Sequence, residues 1–289
     1  MIQFVFEVFI GGLLSGVMYS LVALGFVLIY KASGVFNFAQ GSLVFFAALT
    51  FVGLTEHGLS FPVALAITLV VMIVLGLLIE RLVLRPLVNQ PQISLFMATI
   101  GLSFFIEGLA QLLWGANVRG LELGIQDEPI KWLSDAAGIN VSKFDLVAAG
   151  IAAVLVAGLG LFFSRTRIGR ALRAVADDHQ AALAVGIPLQ QIWGIVWAVA
   201  GFVALVAGML WGARNGVQFA LTFVALKALP VLILGGFESI PGAIEKLAEV
   251  YIGPMVGGGI EGWVAYVIAL LFLLVRPEGL FGEKIIRRI

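Results

Sequence analysis

Cysteine is absent from this chain of 289 residues, which excludes disulfides, thiolate nucleophiles and the commonest zinc ligands. Charge is nearly as scarce. Asp, Glu, Lys and Arg make up 12% of residues and cancel, so no global basic field exists to gather nucleic acid. His57 and His179 are lone histidines in loop sequence, and neither is assigned to a metal or to catalysis. No Gly-x-x-x-x-Gly-Lys-Ser/Thr string occurs, so the chain supplies no phosphate cradle of that kind. The opening residues, Met1-Ile-Gln-Phe-Val-Phe-Glu7, lack a basic n-region, and the apolar run behind them is too long for a cleaved signal. That run reads as a retained first span.

Apolar residues are what the chain has in abundance. At 61% hydrophobic and a mean hydropathy of +1.10, it has too little polar surface to cover a water-soluble globule of this length. The expected fold is all-α, a polytopic membrane bundle of eight or nine spans with broken or short helices. A bilayer core takes about 20 apolar residues per helix. Full-length windows fall at 8–30, 61–79, 93–114, 146–163 and 192–211, and shorter or interrupted ones at 41–54, 222–234, 240–256 and 263–275. Lys and Arg prefer the cytoplasmic side. By that rule Arg81, Arg85, residues 165–173, Arg276, Lys284, Arg287 and Arg288 lie inside, while 115–143, where Arg119, Lys131 and Lys143 are offset by Glu122, Asp127, Glu128 and Asp135, lies outside. The N-terminus is then external and the C-terminus cytoplasmic, which requires an odd number of crossings. Nine candidates satisfy that parity. Removing 240–256 would place the basic tail outside, against the rule.

Two Gly-rich interruptions fall at the inner ends of spans, at 30–41 and 234–243. They are candidates for corresponding breaks in a duplicated chain. Broken helices persist at membrane depth only where protein or a wet cavity satisfies the freed backbone. Each segment therefore fits two roles, an ordinary interhelical turn or the lining of a translocation path. The turn is favoured at Ile240-Pro241-Gly242, and the two roles are level for Asn37 and Gln40.

Between the fourth and fifth full-length windows runs a basic loop, 165–188. Asp177 or Asp178 can cap a helix, Ala181 to Val185 are good helix residues, Gly186 suits a left-handed C-terminal position, and Pro188 stops continuation. A bounded helix over 177–187 is expected. Its small and apolar residues, Ala181, Ala182, Leu183 and Val185, cannot be buried against so short a helix and are expected to be exposed for docking into a partner. Arg165 and Arg167 suffice to enforce topology and grip anionic headgroups.

Here the chain resembles a known family. Gly169-Arg170-Ala171 through Ala181-Ala182 to Gly186-Ile187 is similar to the cytoplasmic coupling segment of LivH-type permease subunits of bacterial branched-chain amino-acid ABC importers. Further matches are Gly34-Val-Phe-Asn37-Phe-Ala39-Gln40-Gly41, Glu80-Arg81-Leu-Val-Leu-Arg85-Pro86, Lys227-Ala228 with Leu234-Gly235-Gly236 and Ser239-Ile-Pro241-Gly242-Ala243, and Arg276-Pro277-Glu-Gly279-Leu280-Phe281-Gly282. The resemblance implies one transmembrane permease domain over 1–289, with a periplasmic loop at 115–143 and a cytoplasmic coupling loop at 164–190, in the bacterial inner membrane. It implies four kinds of partner: the bilayer, a second related permease, two cytoplasmic ATPase subunits that bind the ATP, and a periplasmic substrate-binding protein. The permease itself is then no enzyme and needs no cofactor. Coupling to the ATPases would involve Gly169, Arg170, Arg173, Asp178, Ala181, Ala182, Leu183 and Gly186. One departure stands out: where similar permeases follow Ile-Pro-Gly-Ala with a Gly-rich apolar run, Ile244 here is followed at once by Glu245-Lys246-Leu-Ala-Glu249. A short, displaced or incompletely crossing helix is expected at 240–256, since each charge at the bilayer centre costs about 2.5–3.5 kcal/mol.

Candidate pathway residues are Asn37, Gln40, Glu107 and Lys227, the polar groups available for the two charges of an amino acid. Glu107 and Gln111 lie one turn apart on one helix face. Glu107 fits a substrate contact, interfacial water or a hydrogen bond to a neighbouring helix. Lys227 fits a substrate carboxylate, a pair with a carboxylate such as Glu107, or snorkelling to an interface. Two alternatives to an amino-acid importer stand: a gradient-driven single-chain transporter, whose coupling acids would lie deep in the membrane and for which only Glu107 fits, loosely, and an ABC permease for urea or amides.

Overall fold

The computed structural model describes residues 2–34, 36–87, 90–131, 134–135, 138–177, 179–230 and 261–275. Among them the regular structure is helical, and the only β-type pairs are two isolated bridges, Arg119 with Val217 and Pro129 with Ser142. In chain order the helices are α1 (Ile2–Ser33), α2 (Gln40–Glu56), α3 (Phe61–Leu78), α4 (Gln92–Trp114), α5 (Lys143–Arg165), α6 (Arg167–Asp177), α7 (His179–Ala184), α8 (Leu189–Asn215), α9 (Val224–Lys227) and α10 (Glu261–Val275).

Five helices among the described residues are long and apolar enough to cross a membrane: Gln3–Ser33, Phe61–Leu87, Ile93–Trp114, Lys143–Arg165 and Leu189–Asn215. These are the five full-length windows of the sequence. The second gains its length because α3 runs on through a π-helical turn, Ile79–Leu84, and a 3-10 turn, Arg85–Leu87. Glu80 in that turn is 3% exposed, and both its carboxylate oxygens accept from Arg85, at 3.0–3.2 Å. The paired geometry lets an otherwise prohibitive charge sit in the packed interior. The shorter window at 41–54 is α2, and that at 263–275 lies within α10. The 222–234 window opens as a 3-10 turn, Phe219–Phe223, followed by α9. The expected 240–256 segment, the second Gly-rich break and the basic tail lie outside the described residues.

The chain divides into two compact units. One comprises Met1–Ala23, Gly124–Ala153 and Lys227–Ile289. In it the loop ahead of α5 is tied by backbone hydrogen bonds from Lys143 to Glu128 (2.9 Å) and from Ile130 to Val141 (3.1 Å).

The other unit comprises Leu24–Leu123 and Val154–Leu226, and its centre is α2. Every residue from Gln40 to Gly53 is buried, with α3, α4 and α8 packed around the helix. Because lipid is as apolar as leucine, helices in a membrane associate through close backbone packing at small residues. α3 and α8 do this reciprocally. A Cβ on Gly76 would lie 2.7 Å from the Trp197 carbonyl oxygen, and one on Gly201 would lie 2.8 Å from that of Met72. Met72 and Gly76 are one turn apart on α3, as are Trp197 and Gly201 on α8, so each helix presses backbone against the other's glycine. One heptad on, Gly208 does the same against the Val44 carbonyl of α2.

Replacing Gly201 with Leu should therefore separate α3 from α8, costing on the order of 1–3 kcal/mol or more by overpacking. A thermal melt of the detergent-purified chain should fall by several degrees. Gly158→Ala, at a position with open space around it, should leave the melt unchanged or slightly raised; equal melts for both variants would contradict this packing.

Candidate functional site

α1 ends in a glycine of positive φ, Gly34 at +68°, whose N–H bonds back to Tyr30 O at 2.7 Å. The chain then turns through 36–39 into α2, forming an elbow. Trp193 of α8 donates its indole N–H to Ala32 O at 2.7 Å, satisfying one of the carbonyls left over at the end of α1. Asn37 Oδ1 accepts from Ala39 N at 3.1 Å, holding the turn. A file of rings, Phe26, Phe36, Phe38 and Phe96, covers it with successive centroids 4.8–4.9 Å apart.

Asn37 and Gln40 are both fully buried in this elbow. Asn37 Nδ2 and both amide atoms of Gln40 have no hydrogen-bond partner among the described residues. Gly25 makes room for one of them, since a Cβ there would overlap the Gln40 amide. A buried amide without a partner forfeits about 1–3 kcal/mol. Three such atoms within four residues are polar capacity that the described residues leave unmatched.

Glu107 is held by the helix bearing Gln40. Ser42 of α2 donates to Glu107 Oε1 at 2.7 Å, Ser103 donates to the same oxygen at 3.2 Å, and the two hydroxyls are 2.6 Å apart. Of the roles open to Glu107, the hydrogen bond to a neighbouring helix is present. Thr99, Ser103, Glu107 and Gln111 recur every fourth residue and stripe one side of α4 over about 18 Å at 1.5 Å per residue. Ser42, Thr99 and Ser103 were not expected as site residues. The spacing of Ser103 to Glu107 was a usable signal, whereas Ser42 is brought in by a contact across 65 positions. Lys227 belongs to the other unit, where it ends α9 half-buried.

The basic loop folds into α6 and α7. Leu172 and Val175 of α6 are buried, while Arg167, Arg170 and Arg173 face out at three-residue spacing. Arg173 donates to Phe163 O at 2.9 Å and Ser164 O at 3.4 Å, closing the end of α5. Gly169 sits directly against the Phe163 carbonyl, where no side chain fits. Arg173 and Gly169 thus have work inside the chain, and Arg170 remains exposed.

α7 ends as expected, with Gly186 at φ +82°, its N–H bonded to Leu183 O at 3.0 Å and that of Ile187 to Ala182 O at 3.0 Å. That is the paired hydrogen-bond pattern of a glycine-terminated helix. Leu183 is 55% and Val185 76% exposed, and Ala181 is also exposed. Ala182 is a correction: it is 2% exposed, because a helix of six residues packed between α6 and α8 turns one side inward. Asp178 and the side chain of Asp177 lie outside the described residues.

Long apolar helices around a buried polar elbow define a multi-pass membrane protein. Residues 8–275 match the family model described as branched-chain amino acid transport system / permease component, and the chain belongs to that family. It is 29% identical to the high-affinity branched-chain amino acid transport system permease protein BraD of Pseudomonas aeruginosa, covering 97% of this chain and 96% of that one. It is 26% identical to LivH of Salmonella typhimurium, with 96% of each chain covered. A fructose import permease protein, FruF of Bifidobacterium longum, is 26% identical over 82% of this chain and 65% of its own length. The chain is thus a transport permease component, and nothing in these matches indicates an enzyme family.

Glu107→Gln preserves an acceptor for Ser42, so the melting temperature should hold while transport falls at least tenfold if the charge meets a solute. Ser42→Ala removes the donor and should lower the melt by about 2–4 °C per kcal/mol lost. Unchanged transport in Glu107→Gln, measured in reconstituted vesicles, would leave Glu107 a structural group only.

Proposed function

We propose that this chain is the membrane-spanning subunit of an ABC importer that carries branched-chain amino acids into the cytoplasm. A periplasmic binding protein delivers the solute, a second related permease completes the pathway, and two cytoplasmic ATPase subunits bind and hydrolyse the ATP. The subunit sits in the bacterial inner membrane as one domain over 1–289, with nine crossings, an external N-terminus and a cytoplasmic C-terminus. Residues 115–143 face the periplasm and 164–190 the cytoplasm.

The observation that carries this reading is the elbow. Asn37 and Gln40 are buried with amide atoms unmatched by the described residues. Amide N–H donors suit a carboxylate, the adjoining rings suit an aliphatic side chain, and Glu107 suits an ammonium. Lys227 is a further candidate to meet the solute's carboxylate. At the inner face, Leu183 and Val185 present an apolar edge on a helix that is bounded by its own cap, and this edge docks against an ATPase subunit. Gly186 terminates that helix, Ala181 and the inward-turned Ala182 lie within it, and Gly169, Arg170 and Arg173 belong to α6 ahead of it; Asp178 completes the proposed coupling set. Because packed helices switch between discrete arrangements, closure of the ATPases drives the permease between outward-open and inward-open states. The relatives named for branched-chain amino acids favour that substrate, while the sugar permease among the matches shows that related chains serve other solutes.

Gln40→Leu tests the pathway. An apolar isostere removes unmatched amide atoms, so the complex should be as stable as wild type or more so, while leucine uptake drops at least tenfold. Wild-type uptake in Gln40→Leu would remove the elbow from the path. Leu183→Glu combined with Val185→Glu should leave insertion intact and abolish stimulation of ATP hydrolysis by the loaded binding protein; full stimulation would refute the docking edge.

A further inference from the structure

The far end of α2 carries a second arrangement that the elbow does not explain. Arg119, in the loop after α4, is 18% exposed and donates one guanidinium N–H to Glu56 at the end of α2 and another to Trp114 O at the end of α4. Its backbone exchanges two hydrogen bonds with Val217 after α8, at 3.0 and 2.8 Å. One residue thus ties together the ends of three helices. Beside it opens a cleft of about 440 Å³ whose walls include Phe51, Leu59, Phe61 and Leu121, and whose lining carboxylates are Glu56 and Glu122. That volume lies in the range of small-molecule sites, about 300–1,000 Å³.

The geometry points to this cleft as an outer subsite for a zwitterionic, apolar amino acid, with Arg119 exchanging Glu56 for the solute. The planar guanidinium fits a carboxylate in two-pronged fashion, so the solute's α-carboxylate takes the place of Glu56. Glu56, released, joins Glu122 in holding the α-ammonium. The aliphatic side chain lies on Phe51, Phe61, Leu59 and Leu121. One ion pair breaks and an equivalent one forms, and since Glu56 is about half exposed, at 49%, the exchange costs little. It also frees the end of α2 from Arg119, so occupancy of the subsite loosens the helix that carries the elbow about 24 Å away at 1.5 Å per residue. This rests on the amino-acid reading above, which places this end of α2 outside.

The test is binding of radiolabelled leucine to the nucleotide-free importer complex in nanodiscs, without the binding protein. Unlabelled leucinamide and 4-methylpentanoate, each lacking one of the two charges, serve as competitors. Leucine should bind and be displaced by either competitor at least tenfold less well than by unlabelled leucine. Glu122→Gln and Phe61→Ala should each weaken binding at least fivefold. Arg119→Gln should abolish it, but also unties the ends of α2 and α4, so the first two variants decide. Wild-type affinity in both of them overturns the subsite, as does equal competition by 4-methylpentanoate. ATP-driven uptake of leucine, isoleucine and valine by the complex with its binding protein is measured in parallel. Absent uptake of all three overturns the amino-acid reading and the subsite with it. Normal uptake with unaltered binding in the variants overturns the subsite alone.

Discussion

A helix that stops inside a packed interior leaves backbone groups that water cannot reach, and the larger unit is arranged around one such stop. The chain leaves α1 at Ser33 and re-enters helix at Gln40. Its freed groups are met by a tryptophan indole, an asparagine side chain and a threonine: Trp193 on Ala32 O, Asn37 on Ala39 N, and Thr99 Oγ1, whose one proton is shared between Phe36 O at 3.3 Å and Phe96 O of its own helix at 2.9 Å. α8 and α4 are recruited beside Asn37 itself to support this stretch of non-helical backbone, as its burial demands. With these matched, the amide atoms left over on Asn37 and Gln40 stand out as the unspent polar capacity of the site.

A continuous physical path leads to that elbow from the face proposed to meet the ATPases. α7 touches α8, α8 lies backbone to backbone on α2 at Gly208, and α2 begins at the elbow. Glycine contacts are stiff because there is no side chain between the backbones to yield. A push on the exposed edge of α7 therefore has packed helices along its whole route. Glu107 and its serines clamp α2 to α4 along the way.

Much of this was legible before any coordinates. Length and hydropathy alone located the five long helices and α2, because the bilayer sets helix length and an all-apolar run has few other fates. Gly186 and Pro188 marked the end of α7 through local backbone chemistry that depends on no neighbour. What stayed hidden was tertiary. A helix apolar all round has no preferred side, so nothing in α3 or α8 announced that Gly76 and Gly201 would interlock. The expectation for Ala182 failed for a related reason: α7 was treated as an isolated helix, while α6 and α8 give it an inside. Arg119 was read as one charge in a mixed loop; its role emerges only when positions 56, 114 and 217 converge. Helix ends near a glycine are local and readable, whereas seams between helices are not.

The account's central claim is that the buried elbow faces the path of the solute. The absence of cysteine from this chain makes the direct measurement simple, since any cysteine introduced is unique within it. Gln40→Cys and Asn37→Cys, in the complete transporter, should react with a small, charged, membrane-impermeant thiol reagent, at a rate that changes at least fivefold between nucleotide-free and ATP-trapped states. If neither position reacts in any state, while a cysteine placed at exposed Val185 reacts readily, the elbow is sealed structural backbone and the path runs elsewhere.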